Sequence, residues 1–309
     1  MEFQFIAVKS EIGAGTSGSS LGFDAVMIEA ITQQFPRLDL FKAMVLEGNN
    51  QAKLNPTDHP SAKYIDQALE MCETICNAVS IKIKEPAFPI VFSGDHSNAA
   101  GTISGIKTAF PEKRLGAIWI DAHADLHSPY TSPSGNVHGM PLAICGAKDN
   151  QENQKNDPAE ETVRAWNGLK AIGTGNQKIE LEDVVFIGLR QCEAPEWALI
   201  KKHNIQHFNT DELNNKGVKD ITSKTLKHLE HCDLIYVSFD VDSLDPSVSR
   251  GTGTPVDGGL SIDQAKEIIS ILIQHEKVKC LEITEINPLL DTKNKMAKVV
   301  LEILTRFLA

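Results

Sequence analysis

The sequence lacks a long apolar run. No uncharged stretch approaches the roughly 18 residues that a membrane-spanning helix requires. Residues 1–10 also lack the basic region, the apolar core and the small-residue cleavage site of a secretory signal. We therefore expect a cytoplasmic protein that has no membrane partner.

The sequence also has few cysteines, and it carries no net positive charge. The six cysteines form no tight framework, and a chain of 309 residues can bury a large core without disulfides. We therefore expect reduced thiols. The formal net charge of −11 argues against nucleic acid as a partner. The same negative charge would attract a cationic small molecule.

Short apolar runs that predict buried strands alternate with helical patterns from end to end of the chain. This alternation is typical of a parallel sheet covered by helices on both faces, and eight runs of this kind can be counted. No linker or internal repeat divides the chain, so we predict a single α/β domain over residues 1–309. The Gly/Ser/Thr run at 13–22 lacks the lysine of a phosphate-binding loop and is interpreted as a plain loop. The polar stretch 147–161 is either an exposed insertion or a mobile flap, and its composition favours the insertion.

The segment 119–127 combines acids and imidazoles at high density. Asp121, His123 and Asp125 directly follow the predicted strand 115–120. Ligands bind at the carboxyl ends of strands in open parallel sheets. Two carboxylates and one imidazole within five residues suit a divalent cation, although a solvated polar loop after a strand would show the same pattern.

Other predicted strands also end in ligand-type residues, namely His96, Asp240, Asp242 and Glu285. Four such strand ends at one sheet edge favour a joint metal site. With Glu285 set aside, two imidazoles and four carboxylates exceed the needs of one ion. Because carboxylates can bridge, we predict two divalent metals about 3.5–4 Å apart. This oxygen-rich ligand set suits Mn²⁺ better than a structural zinc site.

Six segments resemble the signature blocks of the ureohydrolase family, which contains arginases, agmatinases and formimidoylglutamases. These segments are 93–97, 121–125, 134–139, 238–246, 251–259 and 285–288. They occur in the family's order and cover most of the chain from residue 89 to residue 288. The resemblance implies a three-layer α/β/α arginase-like fold with a mostly parallel, about eight-stranded sheet. It also implies two Mn²⁺ ions per chain and assembly into trimers or hexamers.

The resemblance also implies a role for each predicted ligand. His96, Asp121, Asp125 and Asp240 would hold one Mn²⁺, and Asp121, His123, Asp240 and Asp242 would hold the other. Asp121 and Asp240 would then bridge the two ions, and Asp125 would hold a metal-bridging hydroxide by a hydrogen bond.

Two further residues match the catalytic pattern of the family. His138 would shuttle a proton, and Glu285 would hold the substrate guanidinium. The chemistry of the residues agrees with this assignment, because a planar cation needs a carboxylate partner and a departing amine needs a proton donor.

Among the members of the family, arginases show the strongest resemblance, which implies hydrolysis of L-arginine to L-ornithine and urea. The predicted substrate-binding residues are His127, Ser132, Ser134, Asn136, Glu193, Glu196 and Thr254. Ser132, Ser134 and Asn136 stand where arginases hold the α-carboxylate, and the two glutamates where they hold the α-amino group. Two of the residues depart from the pattern. His127 replaces the usual asparagine, and Glu193 is one methylene longer than the usual aspartate.

Three alternatives remain open at this point. A sister ureohydrolase would act on agmatine, guanidinobutyrate or formimidoylglutamate. A zinc deacetylase of related fold would use a single catalytic metal. A non-catalytic binding protein would keep the fold without the activity.

Overall fold

One fully parallel, eight-stranded sheet forms the centre of the computed structural model, which describes residues 2–175 and 177–308. Its strands are β1 (Phe3–Lys9), β2 (Met44–Glu47), β3 (Phe88–Ser93), β4 (Leu115–Ile120), β5 (Val184–Ile187), β6 (Gln206–Phe208), β7 (Leu234–Asp240) and β8 (Val278–Thr284). Across the sheet they lie in the order β2-β1-β3-β8-β7-β4-β5-β6. The prediction of an eight-stranded α/β fold is confirmed, and no strand runs antiparallel among the described residues.

Helices cover both faces of the sheet. Those of the described ranges are α1 (Gly22–Thr32), α2 (Ile65–Lys82), α3 (Ala99–Ala109), α4 (Pro141–Cys145), α5 (Glu160–Ala171), α6 (Ala194–Lys202), α7 (Thr210–Lys216), α8 (Val218–His228), α9 (Ile262–Leu272) and α10 (Lys295–Leu308). The layer of α1 and α7–α10 packs on one face, and the layer of α2–α6 packs on the other. Successive strand side chains point to opposite faces, so Phe5 joins the first core and Ile6 the second. In the part of the chain that is described, no helix is both long and apolar enough to cross a bilayer.

Some helix boundaries differ from the sequence-based prediction. The long helix predicted from Ser61 begins at Ile65, because Tyr64 adopts a left-handed φ of 56° that interrupts the helix. Helices α5 and α7 were not predicted. Helix α7 contains few apolar residues. Helix α5 buries Ala165, Trp166 and Leu169 at helical spacing, a pattern that the sequence analysis missed directly after the polar stretch 147–161.

The polar stretch 147–161 is exposed over most of its length, as predicted, but it is not an isolated insertion. The Lys155 and Asn156 amides donate to the Tyr130 carbonyl at 2.8 and 2.9 Å. The side-chain amide of Asn156 also donates to the carbonyls of Pro129 and Ser132. The stretch therefore supports the loop that carries the predicted substrate-binding serines.

The sheet order explains why distant residues meet. Strands β3, β8, β7 and β4 are consecutive neighbours in the sheet, and all of them run in one direction. Their carboxyl ends therefore lie side by side at one edge. These strand ends and the loops that follow them carry every predicted metal ligand and Glu285.

Candidate metal centre and active site

The loop after β4 gathers its ligands by turning. Strand β4 ends at Ile120, and the Asp121 carboxylate accepts the His123 amide at 2.7 Å, which closes a tight turn. Asp125 then adopts a left-handed φ of 50°, a conformation that aspartate tolerates better than most residues. The three side chains therefore converge although the backbone is no longer extended.

His96 is oriented by two buried neighbours. Its ring stacks on Trp119 with centroids 4.2 Å apart and planes 6° from parallel. Its Nε2 lies 2.7 Å from the Ser238 hydroxyl. These contacts direct the other ring nitrogen, Nδ1, toward the carboxylates at the sheet edge.

The first ligand cluster surrounds His96 Nδ1. The nearest carboxylate oxygens are those of Asp125 at 2.9 Å, Asp121 at 3.1 Å and Asp240 at 3.2 Å. All four side chains are buried. His96, Asp121 and Asp240 offer ligand atoms close enough together to share one ion.

The second ligand cluster surrounds His123. Its Nδ1 lies 3.0 Å from Asp242 Oδ2 and 3.5 Å from Asp121 Oδ1. Thr254 donates its hydroxyl to Asp242 Oδ2 at 2.9 Å, and the Asp242 amide donates to Asp240 Oδ1 at 2.7 Å. Asp121 belongs to both clusters, and the two clusters are therefore adjacent.

The donor set fits divalent cations. His96 Nδ1, Asp121 Oδ2 and Asp125 Oδ2 are buried atoms that form no hydrogen bond with the described residues. Burial and the charge of Asp121 raise the pKa of Asp125 to about 6, and burial and the charge of Asp242 raise the pKa of Asp240. Buried charge of one sign is costly unless it is paired or coordinates a metal. The cluster therefore provides both the lone pairs and the negative charge that cations require.

His138 and Glu285 form an ion pair beside the first cluster. His138 Nδ1 lies 3.0 Å from Glu285 Oε1, which also accepts the His96 amide at 3.1 Å. Glu285 has a left-handed φ of 65°, a strained conformation that is concentrated at functional sites in proteins. Burial alone would lower the pKa of His138, but the hydrogen bond and charge of Glu285 raise it.

A cavity of about 320 Å³ opens onto both clusters. All seven residues predicted to bind substrate line it, together with His96, His123, Asp125, His138, Asp240 and Asp242. Asp121 and Glu285 are buried and contact the lining residues His123 and His138, respectively. The structure therefore brings the complete set of sequence-predicted residues to one place.

His127 lines this cavity between Thr131 and the two glutamates predicted to bind the amino group. Thr131 Oγ1 accepts the Ser128 amide at 3.0 Å and lies 3.2 Å from His127 Nδ1. The other ring nitrogen, Nε2, lies 3.5 Å from Glu196 Oε2 and 3.9 Å from Glu193 Oε2. Burial lowers the pKa of His127, which favours the neutral ring.

Glu193 and Glu196, the two acids predicted to hold the α-amino group of the substrate, differ in environment. Glu196 accepts the Leu126 amide at 3.1 Å and the Glu193 amide at 2.9 Å, so it connects α6 to the loop after β4. Burial raises the pKa of Glu196 to about 7. The Glu193 side chain is 45% exposed at the cavity mouth.

Sequence reasoning missed Gln191 and Cys192, which also line the cavity, as well as the contacts of Arg190 and Ser238. The position of residues 190–192 directly after β5 was the available signal, because it is another carboxyl end at the same edge.

A third group of ligand-type residues lies elsewhere, at Asp183, His231 and Cys232. Arg114 binds the Asp183 carboxylate with two hydrogen bonds of 2.7 and 3.0 Å, and His231 Nε2 lies 2.6 Å from it. This carboxylate is therefore already neutralised by a cation. We interpret the group as a structural ion-pair network.

Comparisons with known proteins agree with this geometry. The family model described as the Arginase family matches residues 2–309. An arginase of Staphylococcus aureus strain MSSA476 is 30% identical over 311 residues, which cover 98% of this chain and 95% of that protein. An arginase of Bacillus subtilis strain 168 is 35% identical over 246 residues, which cover 80% of this chain and 77% of that protein.

Solved structures show the same likeness. The native arginase of Bacillus caldovelox superposes with a TM-score of 0.83 at 29% identity, covering 99% of this chain and 97% of that one. The arginase of Entamoeba histolytica in complex with L-ornithine superposes with a TM-score of 0.81 at 25% identity, covering 99% of this chain and 98% of that one. The protein is therefore an amidine-hydrolysing enzyme of the ureohydrolase class. Within that class, the chain belongs to the Arginase family.

Proposed function

We propose that the protein is a binuclear manganese amidinohydrolase, an arginase that converts L-arginine to L-ornithine and urea. One observation carries the proposal: four buried carboxylates and two imidazoles adjoin the His138–Glu285 pair at a single cavity. The relatives named as arginases support it, as does the arginase structure that contains L-ornithine.

Six side chains would hold the two ions. One ion would be bound by His96, Asp121, Asp125 and Asp240, and the other by Asp121, His123, Asp240 and Asp242. When bound, two Mn²⁺ ions would lower the pKa of a shared water molecule and so supply a nucleophile near neutral pH. Asp125 would orient that nucleophile, because its carboxylate borders the cavity.

Glu285 would bind the guanidinium group. Its Oε1 is occupied by the His96 amide and by His138, whereas Oε2 accepts no hydrogen bond from the described residues. A carboxylate oxygen with free lone pairs matches the planar donor fork of a guanidinium. His138 would donate the proton that the departing amine needs, and its raised pKa keeps that proton available near neutral pH.

The amino-acid end of the substrate would lie nearer the cavity mouth. Ser132 Oγ accepts the Gly135 amide at 2.9 Å, and Ser134 Oγ accepts the Asn136 amide at 3.1 Å. Each hydroxyl thus keeps its own hydrogen for a substrate carboxylate. His127 would add a third donor, the exposed carboxylate of Glu193 would contact the α-amino group, and Glu196 would hold α6 in place.

The alternative function is a sister reaction on agmatine, guanidinobutyrate or formimidoylglutamate. The donors around the cavity mouth favour arginine over agmatine, which has no carboxylate for them to bind. A zinc deacetylase with one catalytic metal would leave His96 and Asp125 without a function. We further propose a cytoplasmic homo-oligomer, a trimer or a hexamer, on the basis of the family resemblance.

The decisive experiment compares substrates on the purified protein loaded with Mn²⁺. Urea release is measured with arginine, agmatine, 4-guanidinobutyrate and free guanidine, and formamide release with formimidoylglutamate. We expect the highest kcat/KM with arginine and two manganese ions per chain by elemental analysis. A preference for agmatine would overturn the arginase assignment. A single tightly bound zinc with no gain on adding Mn²⁺ would overturn the binuclear centre.

A further inference from the structure

Arg190 joins three loops at the metal edge of the sheet. Its guanidinium donates to the carbonyls of Asp242 and Val256 at 2.8 Å each, and to that of Gly188 at 3.1 Å. Further bonds reach the carbonyls of Ser243, Asp257 and Leu244 at 3.2, 3.2 and 3.4 Å. One side chain therefore fixes the end of β5, the loop after β7 and the turn at 256–257 relative to each other.

The backbone of Arg190 contacts the loop after β4, which carries Asp121, His123 and Asp125. The amides of Arg190 and Gln191 donate to the Ala122 carbonyl at 3.0 and 2.9 Å, and Ala122 lies between two predicted ligands. The Ala122 amide in turn donates to Asp242 Oδ1 at 3.3 Å. Arg190 thus connects both sides of the second ligand cluster, which contains Asp121, His123 and Asp242.

The guanidinium of Arg190 binds backbone carbonyls and forms no ion pair with a carboxylate among the described residues. Each acceptor of its hydrogen bonds there is a main-chain oxygen. This arrangement differs from that of Arg114, whose guanidinium is paired with Asp183 and Glu182. A planar fork with five donors can span several carbonyls at fixed angles, which a lysine ammonium cannot do.

We propose that Arg190 is the positioning residue of the second metal subsite and holds Asp242 at the distance from His123 that a second ion requires. Among the described residues, the Arg190 side chain forms no hydrogen bond with His96, so we expect the first subsite to depend on it less than the second. The inference rests on the proposed function, because it assumes that both clusters bind metal ions. Replacing a residue that orients metal ligands in this way typically lowers metal affinity by roughly 10- to 100-fold.

The test is a stepwise Mn²⁺ titration of the metal-free full-length protein, with bound metal measured by elemental analysis and by electron paramagnetic resonance. Arg190→Lys retains the positive charge and loses the planar guanidinium group with its five donors, and Arg190→Gln loses both. Arg114→Lys is the matched control, because Arg114 precedes β4 at the opposite end of that strand. We expect both Arg190 variants to bind the first ion normally and the second roughly 10- to 100-fold more weakly. The spectrum should then change from that of a coupled pair to that of an isolated ion.

The outcomes separate this inference from the proposed function. Failure of the unmodified protein to bind two ions would refute the binuclear centre itself. Normal binding of two ions by the unmodified protein and by both Arg190 variants would refute only the role of Arg190. Equal weakening of both ions, or failure of both variants to fold, would also refute it, because Arg190 would then serve the fold as a whole. Circular dichroism of the metal-free variants distinguishes these cases.

Discussion

His138 Nδ1 lies 3.0 Å from Glu285 Oε1, although the two residues are 147 positions apart in the sequence. The Glu285 carboxylate orients the imidazole ring through Nδ1. The other ring nitrogen, Nε2, is not part of this contact. The residue proposed to bind the guanidinium therefore also sets the proton affinity of the residue proposed to protonate the leaving amine. Substrate binding and proton delivery share one carboxylate.

The first prediction concerns this pair. Glu285→Gln removes a negative charge that raises the pKa of His138, so the pKa of His138 should fall. The measurement is an NMR titration of the histidine ring in the metal-free protein. Glu193→Gln, an exposed acid that His138 does not contact, should leave the pKa unchanged. An unaltered His138 pKa in Glu285→Gln would contradict the coupling.

The second prediction concerns proton delivery. His138→Asn keeps a polar side chain but cannot donate a titrating proton, so kcat for arginine should fall by roughly 10²–10⁴. KM should change much less. Steady-state urea release measures both constants. His203→Asn, which alters the residue after α6, is the control and should keep normal kinetics. Normal turnover of His138→Asn would show that His138 has no catalytic role.

The third prediction concerns metal stoichiometry. Asp121 belongs to both clusters, whereas Asp242 belongs to one. Asp121→Asn should therefore reduce binding of both ions, and Asp242→Asn should remove one and retain the other. Elemental analysis after gel filtration gives the number of ions per chain. Equal losses in the two variants would contradict the assignment of Asp121 as a shared ligand.

The fourth prediction concerns the carboxylate of the substrate. Ser134→Ala removes a hydroxyl that has a hydrogen free to donate. A hydrogen bond to a charged group contributes about 1.5–3 kcal/mol, so KM for arginine should rise by roughly tenfold or more. Agmatine lacks the carboxylate and serves as the internal control, with kinetics that should not respond to the substitution. A parallel change for both substrates would instead indicate a general distortion of the loop.

The fifth prediction concerns the conformation of the same loop. Gly135 has a φ of 72°, and a Cβ atom there would overlap the Pro60 carbonyl oxygen. Gly258 has a similar φ of 78° but open space around it. Gly258→Ala should cost about 1 kcal/mol of unfolding free energy from backbone strain, and Gly135→Ala about 1–3 kcal/mol more. Urea unfolding measures both values. Equal costs would show that the Pro60 contact is unimportant.

The sequence predicted the sheet and the placement of the ligands because both follow from simple patterns. Buried parallel strands are short apolar runs, and side chains such as His96 and Asp240 directly follow them. The sequence did not predict the role of Arg190, because a guanidinium that binds carbonyls requires no particular residue types opposite it. Glu196 was predicted to face substrate, but which of its neighbours it binds depends on where α6 begins. Helix α5 was missed although Ala165, Trp166 and Leu169 have helical spacing, because its apolar stripe is short and directly follows the polar stretch 147–161.

Strand β8 is the last strand in the sequence, yet it lies in the middle of the sheet between β3 and β7. Before the ribosome has released β8, the part of the sheet that bears His96 and the part that bears Asp121 and Asp242 have no strand to join them. Each part would expose an unpaired strand edge, a known starting point for aggregation. Uptake of the ion that His96 would bind should therefore wait for β8, because a nascent chain stopped before residue 278 presents two open edges and has not yet brought His96 to Asp121 and Asp240.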